Sequence, residues 1–417
     1  MAVKDTDFPD PLIIGARACL VSGKAFADAE FNAYNPLFDR AWVYQERLLS
    51  RRILFCNRKE FEVGCQQVHH CECENRSLEP HFWKVSNLNL ATHRKSFGMS
   101  KDPNGDGLQG YNFEQKVYRN WFQVVEGYAK LSLTNKHDKL PALSAAAKLS
   151  SRNIPGEYLA GIWRESLMEG LLWHVKGRLS IPRPRGEHWR APSWSWASID
   201  APSGLSHLPI EGGFSDAYHS KIRAAGCTLS GSNPFGRVSS GFIRLDASLF
   251  PAFWRIRCQG CSSRNRRTNK SGTPRANYTL HVNEAQATLR NMAPCDFPQP
   301  ELDIMGAECD FFADAFVDQP EYYGFVVGPG PGTCQLAPCY LLHVPRNDSP
   351  RQATRIMQKN KIDADAYIVL MQTSAEPETY ERIGLATLGH NNFERRSTWF
   401  QQVWSAAVLP EKIVTLI

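Results

Sequence analysis

The apolar positions change period along the chain, and three textures follow from that change. Before residue 75, Trp42, Gln45 or Glu46, and Leu49 recur one helical turn apart, with Asp39 placed as an N-cap. Directly after them, Arg52-Ile53-Leu54-Phe55-Cys56 and Glu60-Phe61-Glu62-Val63 flank a polar Asn57-Arg58-Lys59 turn, the pattern of a hairpin. In the middle of the chain the spacing is helical. Val117, Trp121, Val125 and Tyr128 form one stretch, and Leu140 with Leu143 a second that Asp138 is placed to cap. Leu159, Ile162, Trp163, Leu167, Leu171, His174 and Val175 form a third, wide apolar face that ends at Gly177, where a left-handed C-cap is expected. After Trp196 the period becomes alternating. Lys221 to Leu229, Gly241 to Leu249, Phe253 to Cys258, Tyr278 to Val282, Cys339 to Val344, Ala366 to Gln372, Tyr380 to Leu388 and Lys412 to Ile417 read as strands between Gly, Pro, Asn and Ser clusters.

The fold class expected from these textures is α+β: a helix-hairpin over 1–75, a linker over 76–110, a Trp-rich helical middle over 111–200 and a β-rich C-terminal half over 201–417. Two irregular insertions interrupt the last part, a basic one around Arg264-Asn265-Arg266-Arg267 and an acidic, Pro-rich one from Met292 to Gln319. Six of the 11 Trp fall between Trp121 and Trp196, so the densest aromatic packing is expected there. Trp194 and Trp196 share a parity if their segment is extended, and both then face one side. Burial between the helical layer and the sheet is the favoured reading, since a soluble surface rarely shows two adjacent Trp. Exposed, they would form a recognition ridge.

Composition sets the limits. The chain is 42% apolar and 22% charged, which suits a globular protein and not a disordered one. A net charge of +6 over 417 residues does not demand a nucleic-acid partner, and the Arg264 to Lys270 cluster lacks the interleaved aromatics that stack bases. No apolar run approaches the roughly 20 residues of a membrane span, and Met1 to Pro11 has no hydrophobic signal core, so the expectation is a cytoplasmic protein with no membrane segment. In a reducing compartment the 12 Cys read as free thiols or metal ligands, and the sequons at Asn75, Asn269, Asn277 and Asn347 as chance matches.

Cys56, Cys65, His69, His70, Cys71 and Cys73, with His81 beyond, are the densest set of potential ligands. Thiolate and imidazole suit zinc, with Cys65, His69, Cys71 and Cys73 the candidate ligands. The spacing is not a standard one, because Cys-x-Cys lacks a distant matching pair, so a loop with incidental thiols is the competing and favoured reading and no cofactor is assigned. Cys258 and Cys261 form a lone Cys-x-x-Cys that leaves a strand for a basic loop, a poor setting for redox use. Asp102-x-Asn104-x-Asp106-Gly107 begins like a calcium loop, but its twelfth position is Phe113. Gly328-Pro329-Gly330-Pro331-Gly332 is a turn, since two prolines remove the donors a phosphate would need.

Arg40-Ala41-Trp42-Val43-Tyr44-Gln45-Glu46-Arg47-Leu48-Leu49-Ser50-Arg51-Arg52 resembles the segment that closes the HET domain of fungal heterokaryon-incompatibility proteins, where an Arg-x-Trp-x-x-Gln-Glu-x-Leu-Leu-Ser run precedes a strand. Further resemblances follow in order: Asp138 to Ser144, Tyr158 to Trp163, Gly170 to His174 including Trp173, Ala191 to Ser198 with Trp194 and Trp196, Tyr380 to Gly384, and Val414 to Ile417. The Tyr- and Ser-rich strand ending in Trp-Gly and the Trp-Ile-Asp-x-x-Cys-Ile-like strand of that family have no match before Arg40. The chain thus resembles the end of the HET domain plus the region after it, a truncated or divergent short form.

The resemblance implies fungal non-self recognition and programmed cell death through contact with another protein, without catalysis in this form. HET domains have been compared with the TIR fold, some members of which cleave NAD, so a nucleotide-cleaving or zinc-dependent enzyme is the alternative, and an inactive remnant a third reading. Glu46 is the one acidic residue of the motif and the candidate inherited active-site carboxylate. A surface ion pair with Arg40, Arg47 or Arg51 is its favoured role.

Overall fold

The computed structural model describes residues 2–3, 12–13, 36–56, 61–65, 69–71, 113–176, 182–208, 221–256, 278–281, 309–314, 326–327, 335–344, 365–373, 378–388 and 410–417. The chain divides into two compact units, Met1–Gly107 and Leu108–Ile417. The expected middle and C-terminal regions therefore belong to one unit. The expected linker, the basic insertion, Cys258 and Cys261, the Asp102 to Gly107 loop and the Gly328 to Gly332 turn lie outside the described residues.

In the first unit, short strands β1 (Ala2–Val3) and β2 (Leu12–Ile13) pair antiparallel. A 3₁₀ turn over Pro36–Asp39 leads into helix α1 (Ala41–Leu49). Asp39 is not its cap. Arg40 holds that position, extended and without a side-chain capping bond, because Asp39 is spent in the preceding turn. The helix buries Ala41, Tyr44, Arg47 and Leu48, and the Arg47 guanidinium lies 4.1 Å from the Phe38 ring centroid. Strands β3 (Arg52–Cys56) and β4 (Phe61–Cys65) then form the expected hairpin, in register from Arg52 opposite Cys65 to Cys56 opposite Phe61. A third strand, β5 (His69–Cys71), pairs with β4, so the thiol- and imidazole-rich stretch is partly strand.

The second unit contains both helices and strands. Helix α2 (Phe113–Ala129) buries Trp121, Val125 and Tyr128 on the face their spacing predicts. Pro141–Leu143 forms a 3₁₀ turn that runs into α3 (Ser144–Ser150). Asp138 caps neither element. Asn135 caps the preceding 3₁₀ turn by accepting from His137 N–H at 3.1 Å, and the Asp138 carboxylate instead pairs with Arg237.

The third expected helix is absent from the described residues and is replaced by short pieces. Strands β6 (Tyr158–Leu159) and β7 (Ile162–Trp163) form a tight hairpin, followed by a 3₁₀ turn, the one-turn α4 (Leu167–Gly170) and strand β8 (Trp173–Val175), which pairs with β9 (Leu205–His207). The reason lies at the two turn residues. Ala160 and Gly161 have φ of 44° and 104°, so the chain reverses in the left-handed region that a two-residue hairpin requires. The broad apolar face arose because the segment is buried on all sides.

The β-rich half builds one sheet in the order β10 (Ile222–Leu229), β11 (Val238–Ala247), β19 (Lys412–Leu416), β18 (Thr379–Leu388), β17 (Asp365–Gln372), β16 (Gln335–Val344), β12 (Leu249–Ile256), β13 (Tyr278–His281). Strand β15 (Val326–Val327) joins β16. Strand β14 (Cys309–Ala313) joins β18 and corrects the reading of Met292 to Gln319 as wholly irregular. All pairings are antiparallel except β18 with β19.

Strand β18 has β17 along one edge and two partners along the other. Strand β19 covers Thr379 and Tyr380, and β14 covers Gly384 to Leu388. Arg382 falls in the gap between them, next to a register shift at Val369/Leu370. Its backbone there must find partners outside the ladder.

Candidate functional site

Two places in the molecule concentrate features that a plain scaffold does not need. The first is the surface of the helix and hairpin in the first unit. On α1, Arg40 and Glu46 are exposed, Gln45, Leu49 and Ser50 are half-buried, and Trp42 keeps 39% of its surface in water. The motif stripe from Trp42 to Leu49 is therefore not the face α1 buries. Ser50 ends the helix by giving both its backbone N–H and its hydroxyl to the Glu46 carbonyl, at 3.0 and 2.7 Å. The Glu46 carboxylate has no ion-pair partner among the described residues, so the expected surface pair is not formed there. Among the described residues no base or acid is hydrogen-bonded to the Glu46 carboxylate.

The hairpin that follows α1 in the chain also carries exposed apolar residues. Leu54 is opposite Val63 and Cys56 is opposite Phe61, and directly paired residues share a face. Leu54, Phe61 and Val63 are 61%, 54% and 48% exposed, and Cys56 is exposed beside them. Leu37, on the turn before α1, is exposed as well. Charged Arg40, Arg51 and Arg52 are exposed on the same short stretch of chain. Exposed apolar side chains grouped in this way are uncommon on the surface of a monomer.

Of the candidate zinc ligands, Cys65 ends β4, His69 and Cys71 lie on β5 opposite Gly64 and Glu62, and Cys73 lies outside the described residues. Among the described residues no group of three or more His, Cys, Asp or Glu is placed to hold a metal ion.

The second place is buried. Arg382 is fully enclosed. One of its nitrogens donates to the Leu171 carbonyl at 2.9 Å, and another to the Trp173 carbonyl at 2.5 Å and to Asp314 at 3.1 Å. The backbone groups left in the β18 gap are met from outside the sheet. Arg382 N–H donates to the Ser193 hydroxyl at 2.9 Å, and the Arg382 carbonyl accepts from Arg183 at 2.7 Å. Arg183 also pairs with Asp314 at 3.1 Å. Ser193 donates from its hydroxyl and its N–H to the Ile417 carbonyl. Burial raises the Asp314 carboxyl above its ordinary value while the two guanidiniums oppose the shift, and burial lowers Arg382 to about 10. The centre is sealed, so its chemistry is structural.

The motif tryptophans belong to this interior. Trp163, Trp173, Trp194 and Trp196 are all buried, and Trp173 donates its indole N–H to the Trp194 carbonyl at 3.0 Å. Trp194 and Trp196 are not on a strand, since Trp196–Ser198 is a 3₁₀ turn capped by the Ser195 hydroxyl, which accepts from Ala197 N–H. Segments far apart in the chain, Gly170 to His174, Ala191 to Ser198, Tyr380 to Gly384 and Val414 to Ile417, meet around Arg382. Sequence reasoning missed Arg183 and Asp314. The one usable signal was the Phe311-Phe312-Ala313 triplet just before Asp314.

Two further polar groups flank α2. Glu126 accepts from the His207 backbone N–H at 2.7 Å and lies 3.2 Å from its Nδ1, while the His207 ring stacks on Phe122. Nearby His174 is pushed down to about 4 by burial and by the positive charge of His207 and Arg382. Lys139, buried against the Ile199 carbonyl and Asp200, is lowered to about 7 by burial and by Arg190. No Ser or Cys nucleophile lies within hydrogen-bond reach of His207 among the described residues, so the carboxylate–imidazole pair lacks the third member of a hydrolytic triad.

Comparison of the chain with protein-family models, with curated proteins and with solved structures finds no match. Among the described residues no helix is long and apolar enough to cross a membrane.

Proposed function

We propose that this chain is an α+β, heterokaryon-incompatibility-type recognition protein of the fungal cytoplasm, which works by binding another polypeptide and takes part in programmed cell death. The ordered motif series from Arg40 to Ile417 supports the family assignment. The observation that carries the mode of action is the exposed apolar face of the first hairpin, Leu54, Phe61 and Val63, next in the chain to a helix on which Trp42 is 39% exposed. Aromatic and aliphatic side chains held out on a strand pair lose little conformational entropy on contact, which suits them as anchors. The reading assigns exposed Glu46 to the rim of that contact.

Forced expression in a filamentous fungus tests this. The wild-type chain arrests growth, and Leu54→Thr with Phe61→Thr, which keeps β-forming residues while removing the apolar area, restores it. Normal growth with the wild-type chain, or arrest by both chains at equal expression, contradicts the proposal.

A further inference from the structure

The tip of the β10–β11 hairpin packs on an aromatic wall in the second unit. Its last cross-strand bond is Ser230 N–H to the Arg237 carbonyl at 2.9 Å, beyond the register shift at Thr228/Leu229. Past that bond the tip is held internally by Asn233, which accepts from Phe235 N–H at 3.0 Å, and externally at two points. Arg237 pairs with Asp138 at 2.6 Å on an exposed surface, a contact of about 1 kcal/mol or less. Phe235, half-exposed, sets its ring 5.4 Å from Tyr158 and 6.2 Å from Trp163, both at tilted angles near 60°.

Phe235 rests on a group of packed aromatic rings. Tyr158 and Trp163 are directly paired across the β6–β7 hairpin with rings 5.1 Å apart, and Trp121 stands behind both at 5.8 and 5.9 Å. Tyr158 is 8% exposed and Trp163 fully buried, yet the Tyr158 hydroxyl and the Trp163 indole N–H have no hydrogen-bond partner among the described residues. Two buried donors without acceptors in one aromatic wall are costly, and such groups call for an acceptor that the described residues do not supply. The Phe235 ring packed on this pair offers only a weak π-face acceptor.

We propose that Phe235 is a plug in a ligand site, and that the space it leaves takes a single planar ring carrying a hydrogen-bond acceptor. The hairpin tip lifts by breaking one surface ion pair and the two aromatic contacts of Phe235. The incoming ring stacks against Tyr158 and Trp163 where Phe235 lay, and its acceptor satisfies the two donors. Closure by the plug lowers the apparent affinity of the wild-type chain by the fraction of time the site stands open.

The test compares benzamide, a ring with a carbonyl acceptor, with toluene, a ring of similar size without one. Binding is followed by calorimetry and by tryptophan fluorescence in the full chain, in Phe235→Ala and in Arg237→Ala. The expected result is that Phe235→Ala binds benzamide about tenfold more tightly than wild type, with Arg237→Ala between them. Phe235→Ala prefers benzamide to toluene, and adding Tyr158→Phe reduces that preference. Should Phe235→Ala not fold, the Arg237→Ala gain and its benzamide preference decide the matter, because that variant leaves the aromatic wall intact. Equal affinities of wild type and both variants, or no preference for benzamide, overturn the proposal and assign the two donors to ordered water.

Discussion

The Arg382 guanidinium carbon lies 3.5 Å from the ring centroid of Trp173, while the same guanidinium donates to the Trp173 carbonyl. One residue thus receives Arg382 through its ring and its backbone. The arrangement ties strand β8 to the gap in β18, and through Asp314 and Ser193 it reaches β14 and the end of β19. A planar guanidinium is required, since an ammonium group cannot fork to two carbonyls and a carboxylate while stacking.

Loss of Arg382 leaves Asp314 buried with one cation. Arg382→Met is expected to cost about 3–5 kcal/mol of unfolding free energy, and Arg382→Lys to recover less than half of it. Urea unfolding checks this; a cost below about 1 kcal/mol for Arg382→Met would refute the hub role.

Gly161 is a second single point of failure. Its φ of 104° is one side chains avoid, and a Cβ there would come within 2.4 Å of Trp196 Nε1. Its carbonyl also accepts from the indoles of Trp121 and Trp196, at 2.9 and 3.1 Å. Gly161→Ala is expected to destabilise by about 3 kcal/mol, from backbone strain plus overpacking. A thermal melt within error of wild type would show that the turn can shift.

Stability depends on acidity through His174. Burial holds its folded pKa at about 4, against an ordinary value of 6.5, so between those values the unfolded chain binds the extra proton. The resulting stability is present above pH 6.5 and is lost as pH falls toward 4. For a partly buried imidazole the loss is about 2–3 kcal/mol. Compared at pH 7 and pH 4, wild type should lose about that much more than His174→Gln. Parallel losses in the two chains would place the acid sensitivity elsewhere.

The surface assigned to recognition should be separable from folding. Leu54 and Phe61 are more than half exposed, so Leu54→Thr and Phe61→Thr together are expected to change stability by about 1 kcal/mol or less. Loss of the circular-dichroism signal of the folded chain in that variant would mean that the hairpin face is internal.

Much of the fold was legible because local period and burial agree in it. Helix α2 shows one apolar stripe, and strands such as β10, β17, β18 and β19 stand between clear turn signals. The stretch from Leu159 to Val175 defeated the same logic, because a residue buried on every side carries no period. Its decisive feature is the pair of positive φ values at Ala160 and Gly161. The Arg382 centre was illegible for a different reason. Asp314 stands 68 residues from Arg382, and Arg183 stands 199 away, so only the folded sheet brings them together. On α1 the period was seen, but it named the exposed stripe from Trp42 to Leu49, while Ala41, Tyr44 and Leu48 face inward.

A photo-crosslinking residue placed at position 61 in fungal cells tests the recognition surface most directly, with the exposed position 239 of the second unit as the control. The account predicts one discrete heavier adduct from position 61, absent from position 239 and lost when Trp42→Ala and Leu54→Thr are added. Equal adducts from both positions, or none from position 61, would contradict it.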